Sequence, residues 1–161
     1  MSLEHIVGDL LITQKKTLAL AESCTGGLIT HLLTNVPGCS AYMMGSIVAY
    51  SYDAKVNLLG VNRDDLVHDG AVSASIASEM ARGALAAFGV DVALSVTGIA
   101  GPGGATPTKP VGLTYIGLAA RDAESVIRRV WTGDREHNKM QSAQAAFQLL
   151  ESYLRGSLIQ A

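Results

Sequence analysis

Apolar positions along this chain fall into two alternating rhythms. Residues 3–15 place Leu3, Ile6, Val7, Leu10 and Leu11 on one side at helical spacing. TLALA (17–21) is a short apolar run of strand type, and a helix follows the Ser23–Gly27 turn as far as about Asn35, where Val36-Pro37-Gly38 breaks it. MMGSIVAY (43–50) reads as a second strand. Ser51 is placed to cap a short helix stopped by Gly60, and Asn62 to cap another, with Asp64 and Asp65 in its first turn and Gly70 at its end. Ser73 opens an alanine-rich helix over 74–88, closed by Gly89. DVALSVT (91–97) is nearly all apolar, the pattern of a strand covered on both faces. Residues 112–120 and 124–132 read as strands joined tightly enough through Arg121-Asp122 for an antiparallel hairpin. Residues 135–155 form a last amphipathic helix with Ala146, Phe147, Leu150 and Leu154 inward. Helices interleaved with strands in this order predict an α/β fold, a three-layer α/β/α sandwich around a mixed central sheet. No linker or internal repeat divides residues 1–161, so a single domain is expected.

Composition narrows the function. Charged residues are 16% of the chain, hydrophobic residues 48%, and the formal net charge is −2. Disorder is excluded, and the scattered Lys and Arg do not form the basic face of a nucleic-acid binder. No apolar run nears the ~20 residues of a membrane span, and the opening MSLEHIVGDL lacks a cationic leader region. Cys24 and Cys39 offer neither a metal spacing nor a disulfide framework, and His5, His31, His68 and His137 show no ligand spacing. A cytoplasmic protein without metal or cofactor is expected. Low charge is compatible with surface buried against another copy of the chain.

Four segments carry candidate chemistry. In Glu22-Ser23-Cys24-Thr25-Gly26-Gly27 a hydroxyl follows a buried strand, and the turn offers backbone N–H groups suited to an oxyanion or phosphate. Ser23 or Thr25 acting as a plain helix cap is the alternative, and Cys24 competes as nucleophile. Lys55, in Tyr50-Ser51-Tyr52-Asp53-Ala54-Lys55, is a solvated charge or, if buried, a general base with a depressed pKa. The Gly98–Pro110 loop follows a strand but fits neither a Walker A loop nor G-x-G-x-x-G, because Thr108 precedes Lys109 and Thr106 stands where the last glycine belongs. An ATP or NAD site is therefore not expected. Arg135, after Gly133-Asp134, can clamp a phosphate or remain solvated beside an Asp134 cap.

Together AESCTGG (21–27), AYSYDAK (49–55), GAVS (70–73), SVTGIAGPGG (95–104), KPVG (109–112) and GDR (133–135) resemble the competence-damage-inducible CinA C-terminal domain family, over about residues 3–156. Stand-alone members of that family are nicotinamide-nucleotide amidases. The resemblance implies hydrolysis of nicotinamide mononucleotide (NMN) to nicotinate mononucleotide and ammonia in pyridine-nucleotide recycling, by a homodimer or higher homo-oligomer. It implies Ser23 as nucleophile, Lys55 as base and Tyr50 as a further catalytic residue. It also implies Cys24, Thr25, Gly26, Gly27, Thr97, Gly98 and Arg135 around the substrate. Lys139 stands where many members carry Arg, and Thr97 where Ser is frequent. Two other functions compete: a nucleotide-binding or regulatory module that does little chemistry, and an amidase for another small amide.

Overall fold

The computed structural model describes residues 1–158. A five-stranded mixed sheet runs in the order β2-β1-β3-β4-β5, from β1 (Leu18–Glu22), β2 (Met43–Val48), β3 (Val92–Gly98), β4 (Leu113–Ala120) and β5 (Glu124–Val130). β1 pairs in parallel with β2 and β3, whereas β3–β4 and β4–β5 are antiparallel. α1 (Leu3–Gln14), α2 (Leu28–Thr34) and α6 (Arg135–Leu154) cover one face, and α3 (Tyr52–Leu59), α4 (Arg63–Asp69) and α5 (Ala74–Phe88) cover the other. This is the expected three-layer architecture.

Strand alternation sorts the two layers. Leu18 and Leu20 of β1 join Val7, Leu11, Ile29, Leu33, Phe147 and Leu150 on the α1/α2/α6 side. Ala19 and Ala21 point the other way, toward Ile76 and Met80 of α5. The second face is built from small residues, so α5 lies directly on the sheet. A Cβ on Gly117 would fall 2.6 Å from the Ala77 carbonyl oxygen, which accepts the Ser95 hydroxyl instead.

The capping residues act as their positions predict. Ser51 Oγ accepts from Ala54 N–H, Asn62 Oδ1 from Asp64 and Asp65 N–H, Ser73 Oγ from Ile76 N–H and Asp134 Oδ1 from His137 N–H. Boundaries differ where a backbone group finds another partner. The strand expected over 43–50 stops at Val48, because the Ala49 and Tyr50 carbonyls turn to Lys55. The strand expected from Gly112 begins at Leu113. Gly112 has φ +88°, and a Cβ there would collide with the Trp131 carbonyl.

Ser23, Ala49 and Gly98 lie at the carboxyl ends of the three mutually parallel strands. This is the end of an open α/β sheet where ligands characteristically bind. α5 lets α3 pack closely against it: a Cβ on Gly83 would collide with the Leu59 carbonyl oxygen. Gly83→Ala on an exposed helix would stabilise by about 1 kcal/mol through helix propensity. Here the substitution is expected to destabilise by about 1–3 kcal/mol through overpacking, measured by chemical denaturation; equal or greater stability would contradict this α3–α5 contact.

Candidate active site

Ser23 follows the last residue of β1, and its N–H donates to the Val96 carbonyl at 3.0 Å. Its side chain is nearly enclosed. Lys55, on the first turns of α3, is 1% exposed. The Nζ of Lys55 lies 3.0 Å from Ser23 Oγ, 2.8 Å from the Ala49 carbonyl oxygen and 3.3 Å from that of Tyr50. Among the described residues no carboxylate forms an ion pair with Lys55. Burial lowers its pKa from the ordinary 10.5. A neutral amine has two N–H bonds and one lone pair. Nζ donates to Ser23 Oγ and to both carbonyls; in the neutral form two N–H bonds would serve the carbonyls and the lone pair would be left for the Ser23 hydroxyl, the disposition a general base requires.

Cys24, the rival nucleophile, is buried, and loss of solvation raises its thiol pKa to about 12. A thiol of that pKa is almost wholly protonated near neutrality and is a poor nucleophile. The Gly98 backbone packs against it, a Cβ there falling 3.2 Å from Cys24 Sγ.

The N–H groups of the 23–27 turn are not all free, contrary to expectation. Gly26 N–H donates to the Ser23 carbonyl. The Glu22 carboxylate receives Gly27 N–H and Ile29 N–H on Oε2 and Thr30 N–H on Oε1. The hydroxyls of Thr25 and Thr30 donate to the same carboxylate, at 2.7 Å each. Neither Ser23 nor Thr25 caps α2; the N-cap is Gly27, which has no side chain to offer. Among the described residues no oxygen accepts the Cys24 or Thr25 N–H; Thr25 is wholly buried, so of the two only Cys24 has any surface open to a developing negative charge.

Several residues expected around the substrate are turned elsewhere. The Thr25 hydroxyl is spent on Glu22, and the Thr97 hydroxyl donates to the Ala71 carbonyl at 2.8 Å. Thr97 thus ties β3 to the 70–73 segment and presents no free hydroxyl proton to a ligand. The Tyr50 ring is 60% exposed, and its hydroxyl accepts from Arg135 Nη2 at 3.1 Å and is not hydrogen-bonded to Ser23 or Lys55. Arg135 also donates to the Gly101 carbonyl at 2.7 Å. One helical turn further, the Lys139 ammonium lies 4.0 Å from where a Cβ on Gly26 would stand. Tyr50, Arg135, Lys139 and Gly26 therefore form a cationic rim beside the turn.

Two residues matter here that sequence patterning missed. Asn138, nearly fully buried, donates to the Ala100 carbonyl and accepts Gly133 N–H, pinning the start of α6 to the 98–104 loop. Glu22 organises the turn itself. Its signal was present in the sequence: an acid closing an otherwise apolar strand, with Thr25 and Thr30 just downstream. A separate cavity of about 430 Å³ is lined by Tyr52, Val67, Val72, Ile99, Gly104 and Lys109 among others; Ser23 and Lys55 do not line it. Among the described residues no three His, Cys, Asp or Glu side chains gather to hold a metal, and no helix is long and apolar enough to cross a membrane.

The model of the CinA C-terminal domain matches residues 1–154. The chain belongs to the CinA C-terminal domain family. It is 47% identical over 159 residues to a CinA-like protein of Chlorobium limicola, covering 96% of this chain and 37% of that protein. The chain thus spans little more than a third of the length of the curated relatives it matches. Among solved structures, a competence-damaged protein (CinA) superfamily protein from Klebsiella pneumoniae superposes with TM-score 0.92 at 32% identity, covering 96% of both chains. The competence/damage inducible protein CihA of Agrobacterium tumefaciens superposes with TM-score 0.86 at 35% identity, covering 96% of this chain and 97% of that one.

Two predictions follow the electrostatics. Disulfide-exchange titration of the folded protein should detect one readily reacting thiol, Cys39, and a second only after unfolding; fast reaction of Cys24 in the folded state would contradict its protonated, enclosed environment. For Lys55, whose folded pKa is depressed, the unfolded chain binds one proton more between that pKa and about 10.4, so wild-type stability rises with pH across the window. The Tm of Lys55→Met minus that of wild type should accordingly shrink as pH rises toward about 10.4. A flat difference would mean that Lys55 keeps its proton on folding.

Proposed function

We propose that this site hydrolyses the carboxamide of nicotinamide mononucleotide, giving nicotinate mononucleotide and ammonia through an acyl-enzyme on Ser23. The contact of Ser23 Oγ with the buried, counter-ion-free Lys55 amine at 3.0 Å carries the reading. Lys55 removes the Ser23 proton as Oγ bonds to the carboxamide carbon. The carbonyl oxygen becomes an oxyanion received by the Cys24 N–H group. Lys55 returns the proton to the nitrogen, the C–N bond breaks and ammonia leaves. Water, deprotonated by Lys55, then attacks the ester; the carboxylate departs and Lys55 restores the Ser23 hydroxyl. One well-placed oxyanion donor is worth about 10²–10³ in rate.

A phosphomonoester fits the rim. Arg135 keeps guanidinium N–H groups beyond those given to Gly101 and Tyr50, and Lys139 adds a second cation one turn away. In this reading Tyr50 orients Arg135 and, through its carbonyl, Lys55.

The test is ammonia release from NMN beside nicotinamide, nicotinamide riboside and NAD. NMN turnover is expected, with kcat reduced at least about 10³-fold in Ser23→Ala and Lys55→Ala. Because Lys55 must be neutral to act, kcat/KM should rise with pH to a plateau, its acid limb lying below the ordinary lysine range. Undiminished turnover by Ser23→Ala would reject the nucleophile. Equal turnover of nicotinamide and NMN would reject the role of the phosphate.

A further inference from the structure

Glu22 is 0% exposed and takes no part in the proton transfers between Ser23 and Lys55. We propose that Glu22 is the positioning residue of this site. Its carboxylate fixes the 23–27 turn so that Ser23 Oγ meets Lys55 and the Cys24 N–H, which no oxygen accepts among the described residues, is left for the oxyanion. This rests on the amidase chemistry of Ser23 and Lys55 proposed above.

The carboxylate gathers five donors from four residues between 25 and 30: three on Oε2 and two on Oε1. Glu22 also holds its two sheet neighbours in place: its carbonyl accepts Ala49 N–H at 2.9 Å, and it lies in register with Val48 and Val96. One residue thus couples the β1 end to the turn that carries the nucleophile and to the segment whose carbonyls hold Lys55. α2 has only seven residues, too few to sustain its own first turn, and its N-cap glycine supplies no acceptor. Its initial N–H groups need an acceptor from elsewhere, and Glu22 provides it. With those N–H groups committed, the turn's oxyanion capacity is confined to the residues beside Oγ. Glu22 forms no ion pair with Lys55 among the described residues, so its effect runs through geometry, not through the charge on the base.

Glu22→Gln tests this. A carboxamide keeps one acceptor oxygen and turns an NH₂ group against backbone N–H donors, so the turn loses one of its two anchors. Two reactions are read: NMN hydrolysis, and covalent labelling of Ser23 by an alkyl fluorophosphonate, which needs the nucleophile and oxyanion donors but not the natural substrate. The expected result is a fall in kcat of about 10²-fold, the scale of one lost oxyanion donor. KM stays within about threefold, the acid limb of kcat/KM does not move, and labelling slows in parallel. Turnover and labelling within twofold of wild type would overturn the proposal. So would an effect confined to KM, or a displaced acid limb, which would mean that Glu22 acts through the charge of Lys55. If Glu22→Gln does not fold, Thr30→Val removes a single donor from Oε1; a kcat loss of about threefold or more at unchanged KM supports the proposal, and unchanged kcat overturns it. If wild type labels at Ser23 but leaves NMN intact, the substrate reading fails and the labelling ratio alone decides the role of Glu22. A wild-type protein that does neither overturns both.

Discussion

Everything at this site turns on an amine buried without a counter-ion among the described residues. An isolated buried ammonium is costly, and a lysine without a counter-ion relieves the cost by releasing its proton. Lys55 lies among two backbone carbonyls and a hydroxyl, none carrying a full negative charge, and burial lowers its pKa. The carbonyls belong to Ala49 and Tyr50, just past the end of β2. Had β2 continued to Tyr50, the Ala49 carbonyl would face β1 and not Lys55. Ending the strand early is thus part of the chemistry, and so is the glycine at 83, which lets α3 sit close enough to aim the lysine inward.

The same constraint bears on the acid that stands next to Ser23. A carboxylate facing Lys55 would hold its proton and remove the base. Glu22 precedes Ser23 directly, yet strand alternation and the turn send its side chain to the start of α2, where five N–H and O–H donors receive it. Glu22 is surrounded by donors, while Lys55 has only uncharged partners. Cys24, between them, loses solvation on burial, and this outweighs the opposing pull of Lys55 and Lys139, so its pKa goes up.

Much of this was legible in the sequence. Helical and strand periodicities, the caps at Ser51, Asn62, Ser73 and Asp134, and the layered arrangement all follow from local physics. Ser23 and Lys55 stood out by residue type and setting. Their contact did not, because 32 residues separate them and only sheet order brings the ends of β1 and β2 together. Hydroxyl partners were equally hidden. Thr25 and Thr97 carry hydroxyls in suggestive motifs, but a buried hydroxyl takes the acceptor within reach, here Glu22 and the Ala71 carbonyl. The number of free N–H groups in the turn is likewise a property of the folded chain, since it depends on where Glu22 points.

Chemistry and selectivity sit on different supports. The Ser23–Lys55 pair is anchored to the rigid ends of parallel strands and is almost closed to solvent. The cationic rim belongs to α6 and the 98–104 loop, joined by Asn138 and by the Arg135 bridge to Gly101 and Tyr50. Tyr50 spans the two: its backbone carbonyl accepts from Lys55 while its exposed ring meets Arg135. A group engaging Arg135 from solvent would therefore act on the residue whose main chain helps hold the base. Arg135 and the Lys55 amine are in this way joined through a single tyrosine, which gives its presence in the motif a structural reason that requires no direct part in proton transfer.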